Sequence, residues 1–515
     1  MEYSTGKENL LKVFYQKNIA GMKKRYSFPK LMKYLQGGRD TRICALYGLR
    51  RTGKTTMMAQ AACELQDYDS ICWVHCEEGD SIQDVKNVIK NNPSCRYFFL
   101  DEVTRLENFT SASSILADKF VAEDGKKIVM AGTDSLGFSL AFSTELFDRA
   151  HIIHTTYIPF AEYRYLLGND RDIDDYIQYG GTLTDGEVFY NSDPALDYTN
   201  DAIAVNIQHS LEMFRNGGSF GALLPFYASG ELTTFINKLV EMDNRTFLAG
   251  TVNKMFRSHD MGKLRSNLER DKNLDIDTSP LKNKQFLQEI RDALLIKEPL
   301  LNKAAPEAMR DAKRYLERLD VIFVVPGSKE QEVIFMQPGL RYSQVQREMR
   351  ILEQSELLGN FEPSLRQEFC RRLDETVKGA MMEDIIFVQL SLDKELKDQF
   401  LVTKYRDSAG KHEFDLVLID KNNDKAYLFE IKHSDKFLPY LQARHLIDKE
   451  ACTALERDFH VKIAGKAVVY RGANNDSCTQ GVLYRNINTL LEKPKTCIQN
   501  MKDFLIDDQE SFVRK

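Results

Sequence analysis

The chain has 515 residues, 43% of them apolar and 28% charged, which suits a globular protein but exceeds one hydrophobic core, so two to four domains of ~100–200 residues each are expected. A net charge of −6 excludes a polycation drawn bodily to nucleic acid. Nine scattered cysteines without a disulfide framework, an N-terminus with no apolar signal core, and no run near the ~20 apolar residues of a membrane span lead to a reducing, cytoplasmic location and no membrane partner.

Residues 1–60 hold thirteen Lys/Arg against three Asp/Glu, including Lys23-Lys24-Arg25. A solvated helix face and a phosphate partner explain this excess equally well. Next comes "ALYGLRRTGKTTMMAQ", in which Gly48-x-x-x-x-Gly53-Lys54-Thr55 has the spacing of a phosphate loop. The backbone must curl there so that successive N–H groups face the β- and γ-phosphates, and a Cβ would obstruct that approach. Gly48, Leu49, Arg50, Arg51, Thr52, Gly53, Lys54, Thr55 and Thr56 are therefore expected to hold a nucleotide. Lys54 neutralises phosphate and the Thr55 hydroxyl reaches Mg²⁺. The apolar run before the loop and the helix-forming run after it supply the required strand–loop–helix context.

"CWVHC" (Cys72–Cys76) reads as a buried strand rather than a zinc half-site, because no second ligand pair is evident. "RYFFLDE" is a strand ending in Asp101, expected to bind Mg²⁺, and Glu102, expected to polarise the attacking water. "KIVMAGTDS" ends in Thr133-Asp134-Ser135, with Thr133 placed to sense the γ-phosphate. Arg149 in "LFDRAHI" is a candidate finger reaching a neighbouring subunit's nucleotide, against a plain surface ion pair. Short apolar strands alternating with helices from about 40 to 165 predict a parallel α/β sheet.

Residues 168–200 are acidic and Gly-punctuated and read as a connector; from about 200 to 320 the pattern is helical. "KQFLQEIRDALLI" and "PEAMRDAKRYLERL" are amphipathic, and "VIFVVPG" and "EVIFMQPG" follow, joined by the turn "SKEQ". Helix, helix and ribbon predict a winged helix over 284–340, serving DNA or acting as a lid between domains.

"HEFDLVLIDKNNDKAYLFEIKHSD" predicts a hairpin whose turn brings Asp415 of one strand to Glu430 and Lys432 of the next. The charges read either as cross-strand pairs or as a metal site: two carboxylates for Mg²⁺ or Mn²⁺ and a lysine to position water, the D…(D/E)-x-K arrangement of restriction-endonuclease-like nucleases. Glu383 on an upstream helix and Gln442 on a downstream one are expected at the same cleft. The expected domains are a P-loop ATPase domain with an N-terminal helical extension (1–167), a connector and helical region (168–283), the winged-helix-like module (284–340) and an α/β restriction-endonuclease-like domain (341–515).

The order of "GLRRTGKTT", "FFLDEV", "AGTDS", "DRAHIIHTTYIPFAEY", "RYLERLDVIFVVP", "KGAMMEDII", "KYRDSAGKHEFDLVL", "YLFEIKHS" and "VVYRG" resembles a family over roughly 35–490. It is that of bacterial and archaeal AAA+-type ATPases whose C-terminal half has a restriction-endonuclease-like (PD-(D/E)XK-type) core of unknown function. The resemblance implies ATP binding through Gly48–Thr56, hydrolysis aided by Asp101 and Glu102, and a nuclease-like triad of Asp415, Glu430 and Lys432 supported by Glu383. It further implies Mg²⁺, or Mn²⁺ at the second centre, with DNA or RNA as partner and a homo-oligomer as one form. Asp134 departs from the family's small polar residue at that position. The rival function is a nucleotide-dependent regulator with a silent nuclease fold.

Overall fold

Five short apolar segments, β2 (Ile43–Tyr47), β3 (Ile71–His75), β4 (Tyr97–Asp101), β5 (Lys127–Gly132) and β6 (Ala150–His154), pair in parallel. With β1 (Glu2–Thr5) antiparallel on β3, the sheet order is β1-β3-β4-β5-β2-β6. A parallel sheet buried on both faces needs near-continuous apolar strands, and alternate residues serve two cores. In β4, Phe98 and Leu100 join one core and Tyr97 and Phe99 the other. Cys72 and Cys76 are free, buried thiols in that packing. The computed structural model describes residues 1–15, 19, 21–183, 220–257, 284–296, 298–326, 332–359, 361–407, 412–479 and 481–501.

The first helix to matter, α1 (Lys54–Leu65), starts directly after Gly53, whose φ of +85° suits glycine. Part of the expected connector is ordered as a helix, Ile173–Tyr179, because the Asp172 carboxylate accepts from the N–H groups of Asp174 and Asp175. Residues 184–200 of that connector lie outside the described residues, as does the turn "SKEQ".

Helix α2 (Leu232–Arg257) belongs to two cores. Its first half packs Phe235, Ile236, Leu239 and Val240 with α3 (Pro306–Arg318) and with a two-stranded ribbon, β7 (Ile322–Val324) and β8 (Val333–Phe335). Its second half packs Leu248, Val252 and Met255 with helix Lys284–Leu294, α4 (Pro338–Gln354) and α5 (Pro363–Leu392). Prolines at the starts of α3, α4 and α5 sit where a helix donor has no partner to lose.

The C-terminal sheet has the order β13-β14-β12-β11-β10-β9. Strands β9 (Phe400–Arg406), β10 (Glu413–Asp420) and β11 (Lys425–Lys432) form an antiparallel meander. Strands β12 (Lys462–Tyr470) and β14 (Val482–Asn486) continue it in parallel, and β13 (Asn475–Thr479) closes it antiparallel. One face packs Leu416, Leu418, Phe429 and Ile431 toward α5; the other packs Val417 and Leu428 toward helix Lys449–Phe459. Among the described residues no helix is long and apolar enough to cross a membrane.

Candidate functional site

Parallel pairing aligns the C-terminal ends of β2, β4 and β5, and the loop 48–53 rises from that edge. Gly48 has φ +146°, and a Cβ there would lie 2.6 Å from the hydroxyl oxygens of Thr155 and Thr156. The Lys54 ammonium donates to the carbonyls of Gly48 (2.7 Å) and Leu49 (2.8 Å). Burial lowers the Lys54 pKa to about 8 against the raising pull of Glu102 and Asp101. The Thr55 hydroxyl lies 3.3 Å from Asp101 Oδ1, and Thr133 Oγ1 lies 3.3 Å from Glu102 Oε2. Glu102 stands just past the strand with φ +58°, a left-handed conformation that a residue without glycine's freedom rarely adopts. A hydroxyl beside a carboxylate, facing a lysine, is a donor set that fits Mg²⁺ and a phosphate chain.

Not every loop residue turns inward. The Leu49 side chain is buried in the core formed by α2, α3 and the ribbon, and its N–H donates to Thr156 Oγ1 at 3.0 Å. Thr52 Oγ1 donates to Leu49 O and meets Thr155 Oγ1 at 2.8 Å. The side chains of these two residues are thus spent within the protein. Arg51 is exposed with φ +65°, Arg50 is half-buried, and Thr56 is half-buried on the first turn of α1.

Arg149 is not brought to this site. It precedes β6, and its carbonyl accepts from Ile43 N at the opposite, N-terminal edge of the sheet. Its guanidinium pairs with Asp118 at 2.7 Å. Within one chain it is a surface ion pair.

Arg25 escaped the sequence reading. It is 5% exposed and pairs with Glu162 at 2.7 Å while donating to the carbonyls of Thr52, Thr155 and Tyr157. Lys23 and Lys24 remain on the surface, so charge density alone did not distinguish the buried member of the trio.

In the C-terminal sheet the hairpin forms with Asp420 opposite Lys425 and Leu416 opposite Phe429. A bulge between Phe414 and Val417 shifts the register against β9 and re-aims Asp415. Asp415 Oδ2 accepts from Ile431 N at 2.8 Å and lies 3.6 Å from Lys432 Nζ. The same ammonium donates to Glu430 Oε1 at 2.6 Å. Glu430 is 4% exposed, and its Oε2 is buried without a hydrogen-bond partner.

Glu383, on α5, acts electrostatically on Glu430 and Lys432. Burial, reinforced by the Asp415 charge, raises Glu383 to about 7 and Glu430 to about 8. Burial also opposes ionisation of Asp415, but Lys432, Lys254 and the Ile431 N–H hold it below the usual carboxylate range. Lys254 of α2, unsuspected in the sequence, pairs with Glu383 at 2.5 Å.

Gln442 is buried. Its amide is spent on the neighbouring loop, accepting from Leu438 N and donating to Lys436 O. Glu413 is exposed and 3.6 Å from Arg406. The acceptor pair Asp415 and Glu430, with an orphaned Glu430 oxygen, fits a hard divalent cation. Among the described residues no group of three or more His, Cys, Asp or Glu is set to hold a metal ion.

Residues 40–164 match the family model described as an AAA domain, and the loop, strand-end acids and sheet described above make this region an AAA-type P-loop domain. No curated protein matches the chain. Among solved structures, the Orc1 protein of Aeropyrum pernix in complex with DNA aligns at 11% identity over 63% of this chain and 93% of that one, with a TM-score of 0.22. AMPPCP-bound DnaA from Aquifex aeolicus aligns at 14% over 56% and 86%, with a TM-score of 0.23. Cdc6p from Pyrobaculum aerophilum aligns at 10% over 63% and 96%, with a TM-score of 0.24. TM-scores this low leave the three alignments without weight for fold or function.

Proposed function

We propose that the chain is an ATP-binding and ATP-hydrolysing protein that controls a metal-dependent, nuclease-like centre acting on DNA or RNA. The observation that carries the second half is the convergence of Asp415, Glu430 and Lys432 at the end of one hairpin, with a buried carboxylate oxygen left without a donor. In this reading Asp415 and Glu430 hold Mg²⁺ or Mn²⁺. Such an ion would polarise a phosphodiester and activate a water. Lys432 orients that water and steadies the developing charge, and Glu383 completes the acidic wall. At the first site Lys54 and the loop backbone hold the nucleotide, Thr55 and Asp101 the Mg²⁺, and Glu102 the attacking water, with Thr133 as sensor.

The meander β9–β11 followed by helix Lys449–Phe459 and parallel β12, with α5 ahead, supports the restriction-endonuclease-like reading. The segment 284–340 reads as a winged helix used as an interdomain contact. Its helix α3 spends Ala308, Ala312, Tyr315 and Leu316 on the core that also holds Leu49. One observation favours the silent alternative: in the described arrangement lysine ammonium groups already neutralise the acids.

The test is cleavage of single- and double-stranded DNA and RNA with Mg²⁺ or Mn²⁺, with and without ATP. Loss of cutting in Lys432→Ala and of ATP dependence in Lys54→Ala would establish an ATP-controlled nuclease. ATP turnover without any cutting would leave a nucleotide-driven regulator.

A further inference from the structure

The inference begins at Lys254. Its ammonium lies 2.5 Å from Glu383 Oε1, and its charge also acts on Asp415. The side chain is 45% exposed while Glu383 is 16% exposed, so the lysine enters the acidic cluster from the solvent side. Only the lysine end of the pair meets solvent, so the pair can part on that side.

Lys254 stands in the last turn of α2, a 26-residue helix about 39 Å long at 1.5 Å per residue. The other end of that helix packs in the core that holds Leu49 of the nucleotide loop. Between the ends, Asn244 bonds Gln344 and Arg245 bonds Glu348 at 2.8 Å, fastening α2 to α4. The start of α4 is tied back to the loop as well. Gly339 N donates to Gly180 O (3.0 Å), Gln337 donates to Gly181 O (3.1 Å), and Leu183 N donates to Arg51 O (2.9 Å). A contiguous path of packed elements thus runs from the phosphate loop to one cation at the acidic site.

Building on the metal-site reading above, we propose that Lys254 is a positioning residue that holds Glu383 and competes with a divalent cation for the acidic cluster, and that α2 carries the state of the nucleotide loop to it. Withdrawal of Lys254 by a shift of α2 would free Glu383 and admit the ion. The competition comes from charge: a divalent cation entering beside an ammonium meets repulsion that a neutral side chain does not exert.

Mn²⁺ titration calorimetry on the full chain, free of nucleotide, tests the first half. Lys254→Gln should bind Mn²⁺ about two- to fivefold more tightly than wild type, the fold-change of a weak ion pair. Lys254→Arg, which keeps the charge, should bind as wild type does, provided both melt as wild type does. Equal or weaker Mn²⁺ binding in Lys254→Gln overturns the role. If Asp415→Ala removes no Mn²⁺ from either background, the metal site itself is wrong, and the Lys254 role falls with it.

Hydrogen exchange of residues 376–390 in EDTA, with and without excess ADP, tests the second half. ADP should change exchange there in wild type and leave it unchanged in Lys254→Gln. No ADP effect in wild type overturns the coupling while leaving the Mn²⁺ result intact.

Discussion

Arg25 and Glu162, 137 positions apart, meet as a buried bidentate pair, Nε to Oε1 at 2.7 Å and Nη2 to Oε2 at 3.1 Å. The remaining guanidinium donors hold Thr52 O of the phosphate loop and Thr155 O of the segment behind it. Glu162 also accepts from Tyr26 N. Removing one partner leaves the other charge buried and uncompensated, so Arg25→Ala or Glu162→Ala should cost about 3–5 kcal/mol of stability. Chemical denaturation followed by circular dichroism reads this directly. Arg25→Lys should recover only part, because an ammonium cannot reproduce the planar fork. A wild-type midpoint in Glu162→Ala would sink this account.

Lys54 sets a pH dependence for the nucleotide. Burial has lowered its pKa to about 8, so the free protein loses this positive charge as pH rises through that value. Nucleotide favours the charged form, so binding takes up a proton above pH 8 and weakens with rising pH. Affinity for ADP in EDTA should fall about tenfold between pH 7 and pH 9. Fluorescence titration with a labelled ADP measures it, and a flat profile would show that Lys54 stays fully charged.

Glu102→Gln separates binding from turnover. The amide keeps the size and the hydrogen bond with Thr133 but cannot act as a base. ATP hydrolysis should fall by about 10²–10⁴-fold with nucleotide affinity nearly unchanged. Equal loss of both would assign Glu102 to binding.

The acidic cluster sets a second pH dependence, in stability. Glu383 and Glu430 are raised to about 7 and about 8 by burial and by the Asp415 charge. Raised acids contribute their stability below the unfolded pKa of about 4.5 and lose it as pH rises through the folded values. In EDTA the melting temperature should therefore fall from pH 6 to pH 9 through these two groups. Glu430→Gln should flatten the fall, and Mn²⁺ should oppose it in wild type by binding the ionised acids. A wild-type slope in Glu430→Gln would remove Glu430 from the linkage.

Arg149→Ala should leave ATP turnover unchanged at every protein concentration, since the side chain pairs with Asp118 at the sheet edge away from the loop. A drop that grows with protein concentration would instead mark it as a finger supplied to a second copy.

Local patterns made the linear part of this architecture legible. Gly48, Gly53 and Lys54 are close in sequence and share one backbone curl, and Asp101 ends an unbroken apolar strand. The hairpin was readable for the same reason: a polar turn between two apolar runs fixes which residues oppose. The residues that sequence did not place depend on distant packing. Arg25 looks like its neighbours Lys23 and Lys24 until Glu162 folds over it. Leu49 carries the loop spacing, yet nothing nearby in sequence says that its side chain belongs to a core made by residues 220–340. Lys254 lies on a helix whose pattern is apolar on more than one face, which hides the face that points to Glu383. Gln442 spends its amide on two backbone partners in its own loop, a local use that the helix pattern does not announce.

The shared helix α2 also constrains how this chain can be divided. A cut before residue 232 strips Phe235, Leu239 and Val240 from the core around Leu49, and a cut after 257 strips Leu248 and Val252 from the core of the C-terminal half. Either fragment would expose an apolar stripe and invite aggregation. Neither half can be exchanged alone with that of another protein by joining sequences on either side of this helix: transplanting one requires bringing along part of the other's interior.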